Sequence, residues 1–307
     1  MKEAMADVGQ ITTRAKLEVE RARARYATVD ILVTTFRCFS ANDGGVLAAA
    51  LTYYTFFSVF PLLLFAASAV GYLTFLSGGI REGLLRSGIE GVPLLNQILT
   101  FDMLESLKEN RGTLAFVGLL LALYSGSGAV VALEHALNRI NCVEEEGSFF
   151  GKRIKSLSWL GFLGVATLVS VGTTALVQIA GSKIGSGAAV EFLLAAVLSV
   201  LSVGVNTGIF ATAFKLLPNK ERSWRDVLPG AVIAATAFEI LKLLGARYLG
   251  TGAEGRSQTF GAFSAAAGLL VASYLLSQIT LLAAEVNAVL AERRETRSSQ
   301  VERSQEA

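Results

Sequence analysis

Residues 44–80 read GGVLAAALTYYTFFSVFPLLLFAASAVGYLTFLSGGI, without one charged side chain. A helix rises about 1.5 Å per residue and a bilayer core is about 30 Å thick, so this run exceeds one straight crossing. Pro61 inside it lacks a backbone N–H and its ring crowds the preceding turn, so a kink or break is expected there. Further uncharged runs cover 112–133, 156–182, 192–214 and 257–284. Across the 307 residues, 52% are hydrophobic and 17% charged, with a mean hydropathy of +0.53. A soluble domain carries about 25% charge, so this chain is too poor in polar residues to cover a water-facing surface. The reading is an all-α polytopic bundle in a membrane.

Six spans are expected, at 45–72, 113–135, 157–179, 192–214, 227–249 and 259–289. A basic arm at 1–44 precedes this 45–290 membrane domain, and a hydrophilic tail at 291–307 follows it. The arm has no signal-peptide pattern, so the first span should act as its own insertion signal. Of 27 Lys and Arg residues, 19 fall in the arm, the 136–156 and 215–226 loops and the tail. Seven fall on the opposite side and Lys242 lies inside a span, so the positive-inside rule places both termini in the cytoplasm. Cys38 and Cys142 then face a reducing compartment and are expected as free thiols. Residues 11–40 alternate basic side chains with Leu17, Val19, Ile31, Leu32, Val33 and Phe36. That pattern fits an interfacial helix on the inner leaflet or a solvated helix packed on loops. The outer loop 76–111 is expected to form short amphipathic helices capping the bundle.

Four motifs carry a resemblance. Leu51-Thr-Tyr-Tyr-Thr-Phe-Phe-Ser-Val-Phe-Pro61, with Tyr53 and Tyr54, lies in the first span, and Ala136-Leu-Asn-Arg-Ile140, with Asn138, ends the second. Leu217-Pro-Asn219 leads into Trp224-Arg-Asp-Val-Leu-Pro-Gly-Ala231, which includes Gly230. Phe260-Gly261 opens the sixth span and Leu282-Ala-Ala-Glu-Val-Asn287, with Glu285, closes it. Together these resemble the YihY/BrkB family of bacterial inner-membrane proteins over about residues 30–290. The departures are Ala283-Ala284 in place of a Gly-Ala pair and Phe260 where Tyr is common. The resemblance implies six spans, an inner-membrane location and Pro218 among the signature positions. Members have carried a ribonuclease BN label.

A ribonuclease needs metal-binding carboxylates or a histidine acid–base pair at a phosphate. The single histidine, His135, stands at a helix end, and the dense acidic group Glu144-Glu145-Glu146 falls in a loop. No HExxH, DxD or Cys/His metal spacing occurs in the spans, so neither a metal nor a cofactor is expected. Ser125-Gly-Ser-Gly128 superficially resembles a serine-protease element, but His135 lies about 12 Å along the same helix from Ser127. Small residues admitting a neighbouring helix are the preferred account. The net charge of +2 argues against nucleic acid as a partner.

The remaining chemistry is polar groups inside spans. Glu239 lies about 18 Å past Val227 by helical rise, deep in a core of about 30 Å. Lys242, three residues on, shares its face and can pair with it. Ala231, Ala235 and Glu239 form one stripe that should face other helices. The pair reads as a packing lock or as the lining of a substrate path. Gly204-Val-Asn-Thr-Gly208 is a GxxxG whose expected role is helix packing, with Asn206 making an interhelical hydrogen bond. It also permits a homo-oligomer. Thr173, Thr174, Gln178, Ser273, Ser277, Gln278 and Thr280 could add to a central cavity, and Glu285 should sit at the cytoplasmic end beside Arg139 or Arg222. Tyr53 and Tyr54 suit interfacial anchoring.

The expected function is transport or export of a lipid-like or amphipathic envelope substrate, past Glu239, Lys242, Asn206 and Gln278, with membrane lipids as surroundings. The alternative is a non-transporting envelope scaffold with a dry interior. A ribonuclease comes last.

Overall fold

The computed structural model describes residues 20, 23, 25–73, 111–143, 150–163, 188–250 and 253–305. Among them are seven helices and no strand: α1 (Ala27–Ala41), α2 (Gly44–Leu73), α3 (Arg111–Ile140), α4 (150–163), α5 (Ala188–Leu216), α6 (Trp224–Gly250) and α7 (Ala253–Gln305). The segments Phe116–Ile140, Trp224–Gly245 and Ala266–Gln300 are long and apolar enough to cross a membrane. Gly44–Val59 and Val200–Leu216 are shorter apolar segments. The outer loop, most of the third expected span and Glu144–Glu146 lie outside the described residues.

Of the kink or break expected at Pro61, the break is absent: α2 continues through it; helices in lipid tolerate proline because neighbours and local adjustment satisfy the freed carbonyl. α7 carries the hydrophilic tail as a continuation of the last apolar run, as far as Gln305.

Helix ends follow from local chemistry. Ser223 and Asp226 form a reciprocal cap on α6: the Asp226 carboxylate accepts the Ser223 N–H at 3.3 Å and Ser223 Oγ accepts the Arg225 N–H at 3.4 Å. Between α1 and α2 the chain turns over Asn42 and Asp43, with Asp43 in the left-handed region at φ 57°. Asp tolerates that conformation. Gly44 follows because a Cβ there would lie 2.4 Å from the Phe39 ring.

α3 closes with the paired hydrogen bonds of a Schellman motif, Val143 N–H to Asn138 O at 3.0 Å and Cys142 N–H to Arg139 O at 3.1 Å. The left-handed position, φ 53°, is held by Cys142 and not by glycine. Holding a Cβ there costs about 1 kcal/mol, so Cys142→Gly should stabilise the protein by up to that amount. A rise in thermal midpoint in detergent would register it; an unchanged or lower midpoint would show that the turn carries no such cost.

α2 lies along α3, α5 packs on α6, and α7 touches α1, α2, α3 and α6. The well-buried side chains gather at one end of this arrangement: Ala48, Ala136, Leu137, Phe214, Leu217, Val227, Ala231, Ala234, Leu281 and Ala283. Many are alanine, which lets helix backbones approach closely. Away from that end large apolar side chains point outward, including Phe116, Leu120, Val200, Leu243, Leu244 and Val271. Continuous exposed apolar surface on several helices fits lipid. The basic segments meet at the packed end. Arg222 reaches Asn141 and Glu295, Arg294 reaches Asp226, and Arg293 reaches Asp30.

Candidate functional site

Three of the four candidate transport residues come together between α5 and α6. Lys242 Nζ lies 2.6 Å from Glu239 Oε2, as their spacing of three residues on a helix allows. Ser202 on α5, which the sequence reading had not singled out, joins both: its hydroxyl donates to Glu239 Oε2 at 3.2 Å and accepts from Lys242 Nζ at 3.2 Å. Asn206 Nδ2, one turn further along α5, donates to Ser202 Oγ at 3.4 Å and to Glu239 Oε2 at 3.5 Å. The interhelical hydrogen bond expected of Asn206 is therefore present. Ala231 and Ala235, which precede Glu239 on its stripe, are fully buried. The ends of the ion pair differ in access, for the Glu239 side chain is 19% exposed and that of Lys242 is 43% exposed. Ile240, Leu243 and Leu244 beside them are exposed as well.

Gln278 does not join the cluster by any direct hydrogen bond: its Nε2 donates to Tyr274 Oη, one turn back on α7, at 2.6 Å. The glycines of the GxxxG behave differently from the packing role expected of them. A Cβ on Gly204 or Gly208 would meet nothing within 4 Å, so this face of α5 is open among the described residues. The small residues of 125–128 do serve packing. A Cβ on Gly128 would come 2.7 Å from the Tyr54 ring, and one on Gly126 would come 3.3 Å from Leu160. Ser127 Oγ donates to the Tyr124 carbonyl at 2.8 Å within its own helix. Tyr54 therefore lies against Gly128, although it and Tyr53 both remain exposed.

A second polar assembly ties the packed end, and the sequence motifs meet in it. Asn138 Oδ1, on α3, accepts the Asn219 N–H at 2.7 Å, which fixes the Leu217-Pro218-Asn219 turn. Asn287 on α7 spans the first turns of α6: its Oδ1 accepts the Gly230 N–H at 2.7 Å and its Nδ2 donates to Val227 O at 3.0 Å. Pro229 cannot donate to Arg225 O, four residues earlier, and that carbonyl instead accepts Arg294 Nη1 at 3.0 Å. Lys155 on α4 reaches Glu134 at 2.8 Å, Leu217 O at 2.6 Å and Asn219 Oδ1 at 3.4 Å. The partner of Glu285 is neither Arg139 nor Arg222. Its Oε1 accepts Asn42 Nδ2 at 2.8 Å, Arg139 pairs with Asp43, and Arg222 with Asn141 and Glu295. Asn42 sits in the turn ahead of the first apolar run, where nothing local in the sequence marks it as a carboxylate's partner. Leu137, Asn141, Phe214, Arg222, Val227 and Asn287 are among the residues around a crevice of about 10 Å³, room for one water. Pro61 lies in α2 and Gly261 in α7, and the surroundings of Gly261 fall outside the described residues.

Among the described residues no three His, Cys, Asp or Glu side chains stand together as metal ligands. Helices with apolar outer faces, joined at one end by a network of charged and amide side chains, make this an integral membrane protein whose described residues form a helical arrangement. Residues 35–307 match the family described as Virulence factor BrkB, and the chain belongs to that family. It is 29% identical over 274 residues to the "Putative ribonuclease-like protein YfkH" of Bacillus subtilis strain 168, covering 87% of this chain and 97% of that one. The "Inner membrane protein YhjD" of Escherichia coli strain K12 is 23% identical over 85% of this chain and 80% of its own. A "UPF0761 membrane protein" of Chromohalobacter salexigens is 28% identical over 83% of this chain and 62% of its own. No solved structure matches.

Proposed function

We propose that this protein moves a lipid-like or amphipathic envelope substrate across the bacterial inner membrane, with the Ser202–Asn206–Glu239–Lys242 cluster as its polar contact. The observation that carries the reading is the uneven access of the ion pair. Glu239 is largely enclosed while the Lys242 ammonium is 43% exposed beside outward Ile240, Leu243 and Leu244. A cation at the edge of an apolar surface suits an acidic headgroup whose tails stay in lipid. The pair lies toward the Gly245 end of the Trp224–Gly245 segment, and charges within a span normally face the bundle interior or a water-filled path. The topology proposed with it has six spans and both termini in the cytoplasm. The count of Lys and Arg supports it, as does the meeting of the basic segments at one end. The open Gly204 and Gly208 face leaves room for a second copy of the chain.

One observation favours a scaffold without transport: the crevice at the packed end has room for about one water, too little for a substrate. The ribonuclease-like wording belongs to the Bacillus relative, and we propose no reaction for this chain.

Transbilayer movement of fluorescent phospholipid and glycolipid analogues in proteoliposomes tests the proposal. Each hydrogen bond to a charged group contributes about 1.5–3 kcal/mol, so Glu239→Gln and Lys242→Met should each slow movement roughly tenfold or more. Wild-type movement no faster than in protein-free vesicles, from folded and inserted protein, would leave the scaffold ahead. Movement that both variants retain in full would place the path elsewhere.

A further inference from the structure

α1 leaves an apolar stripe facing outward while it turns polar groups inward. Thr35 is buried, Cys38 half-buried, and Asp30 is held by Arg23 at 2.7 Å and by Arg293 of α7, with Phe39 as the aromatic side chain that α1 packs on the core. Those two guanidiniums hold the Asp30 carboxyl below the usual carboxylate range, so it stays a neutralised anion fastened to α7. The outward face carries the apolar residues. Leu32 is 55% and Phe36 59% exposed, and with Val29 and Val33 they line an open shallow groove bordered by Arg37 and Ser40. The spacing 29, 32, 33, 36 is one stripe of a helix. A solvated helix packed on loops would turn this stripe inward and leave Asp30 and Thr35 outside.

We propose that this outer face of α1 is a membrane-docking surface that takes the anionic lipids of the leaflet into which the α1–α2 turn opens. Three observations select that occupant. The helix is joined through the two-residue Asn42–Asp43 turn to α2, an apolar helix beginning at Gly44, so its depth is that of the bilayer boundary. The cations suit acidic headgroups: Arg37 is exposed at the groove, and Arg25 lies 5.6 Å from the ring centroid of Tyr26 at the helix start. Basic and aromatic side chains around an apolar stripe are the composition of interfacial helices. The acidic residue of α1, Asp30, is turned to α7 and neutralised, so it does not oppose the lipid charge. The docking surface rests on the membrane reading of α2 alone and stands whether or not the α5–α6 cluster moves a substrate.

Nitroxide labels test it on the full chain. Leu32→Cys, Phe36→Cys and, as a water-facing control, Ser298→Cys are made in a Cys38→Ala, Cys142→Gly background. The proteins are reconstituted in nanodiscs of phosphatidylcholine with or without phosphatidylglycerol. In the anionic discs, labels at 32 and 36 should favour oxygen and be about fivefold less accessible to a nickel chelate than the label at 298. Adding Arg25→Glu and Arg37→Glu, or omitting phosphatidylglycerol, should shift both labels toward the chelate. A second readout uses no cysteine: a Phe36→Trp side chain should be quenched by brominated lipid beyond the quenching of Trp159 and Trp224. Labels at 32 and 36 as open to the chelate as the label at 298 would overturn the proposal. So would labels shielded from both oxygen and chelate, since that result means protein covers the face.

Discussion

Gly230→Ala is expected to destabilise the protein by about 3 kcal/mol or more, the upper range for forcing extra atoms into a close-packed site. The added Cβ would stand 2.2 Å from the Ala283 carbonyl oxygen and 2.6 Å from Asn287 Nδ2. The first of these is helix backbone and cannot swing aside, so α6 and α7 have to separate. Separation also breaks the two hydrogen bonds through which Asn287 holds the Gly230 N–H and the Val227 carbonyl. A fall of the thermal midpoint in detergent, with loss of a monodisperse peak, is the measurement. Gly245→Ala supplies the control, because a Cβ there meets nothing within 4 Å and should change little. An unaltered midpoint for Gly230→Ala would mean that the α6–α7 contact is looser than its geometry.

Lys155→Met should cost about 3 kcal/mol through a different mechanism, an orphaned buried charge. The Glu134 side chain is 4% exposed and Lys155 is its ion-pair partner, while Glu134 Oε2 has no hydrogen-bond partner among the described residues. Deleting the ammonium leaves a carboxylate in a low-dielectric site and also releases the carbonyl of Leu217. Glu134→Gln combined with Lys155→Met should recover most of the loss, because the amide needs no counter-charge. Thermal melts of the two singles and the double form a cycle that isolates the pair. A double variant no better than Lys155→Met alone would show that the lysine acts through its carbonyl contacts and not through Glu134.

The helical class and the exposed apolar faces were legible because uncharged runs long enough to cross a bilayer leave little alternative. The Glu239–Lys242 pair was legible for a local reason: three residues on a helix fix the distance. Asn206 and the buried Ala231–Ala235 stripe followed from the same periodicity. What joined the motifs to one another was not legible. Asn138 finds Asn219 across 81 residues and Gly230 finds Asn287 across 57, and no local pattern encodes either meeting. Glu285 was given an arginine partner because a carboxylate ordinarily takes one. The fold offers instead an amide from the α1–α2 turn, a neutral donor that sequence charge counts do not weigh. Glu134 and Lys155 passed unnoticed since each resembles an ordinary charge bounding a span. The GxxxG was read as helix packing with an interhelical hydrogen bond; the hydrogen bond from Asn206 to α6 is present, while Gly204 and Gly208 meet no other helix among the described residues.

α7 leaves the ribosome after the other described helices, and α1 and α6 wait on it. Asn42 needs Glu285, the Gly230 N–H and Val227 carbonyl need Asn287, Asp30 gains Arg293, and the carbonyl freed by Pro229 needs Arg294. Until residues 285–294 emerge, α1 and α6 lack the partners that join them in the folded protein. Their docking is thus held back until α7 has been made. A chain halted before that point would keep the Gly230 N–H and the Asn42 amide without their α7 acceptors.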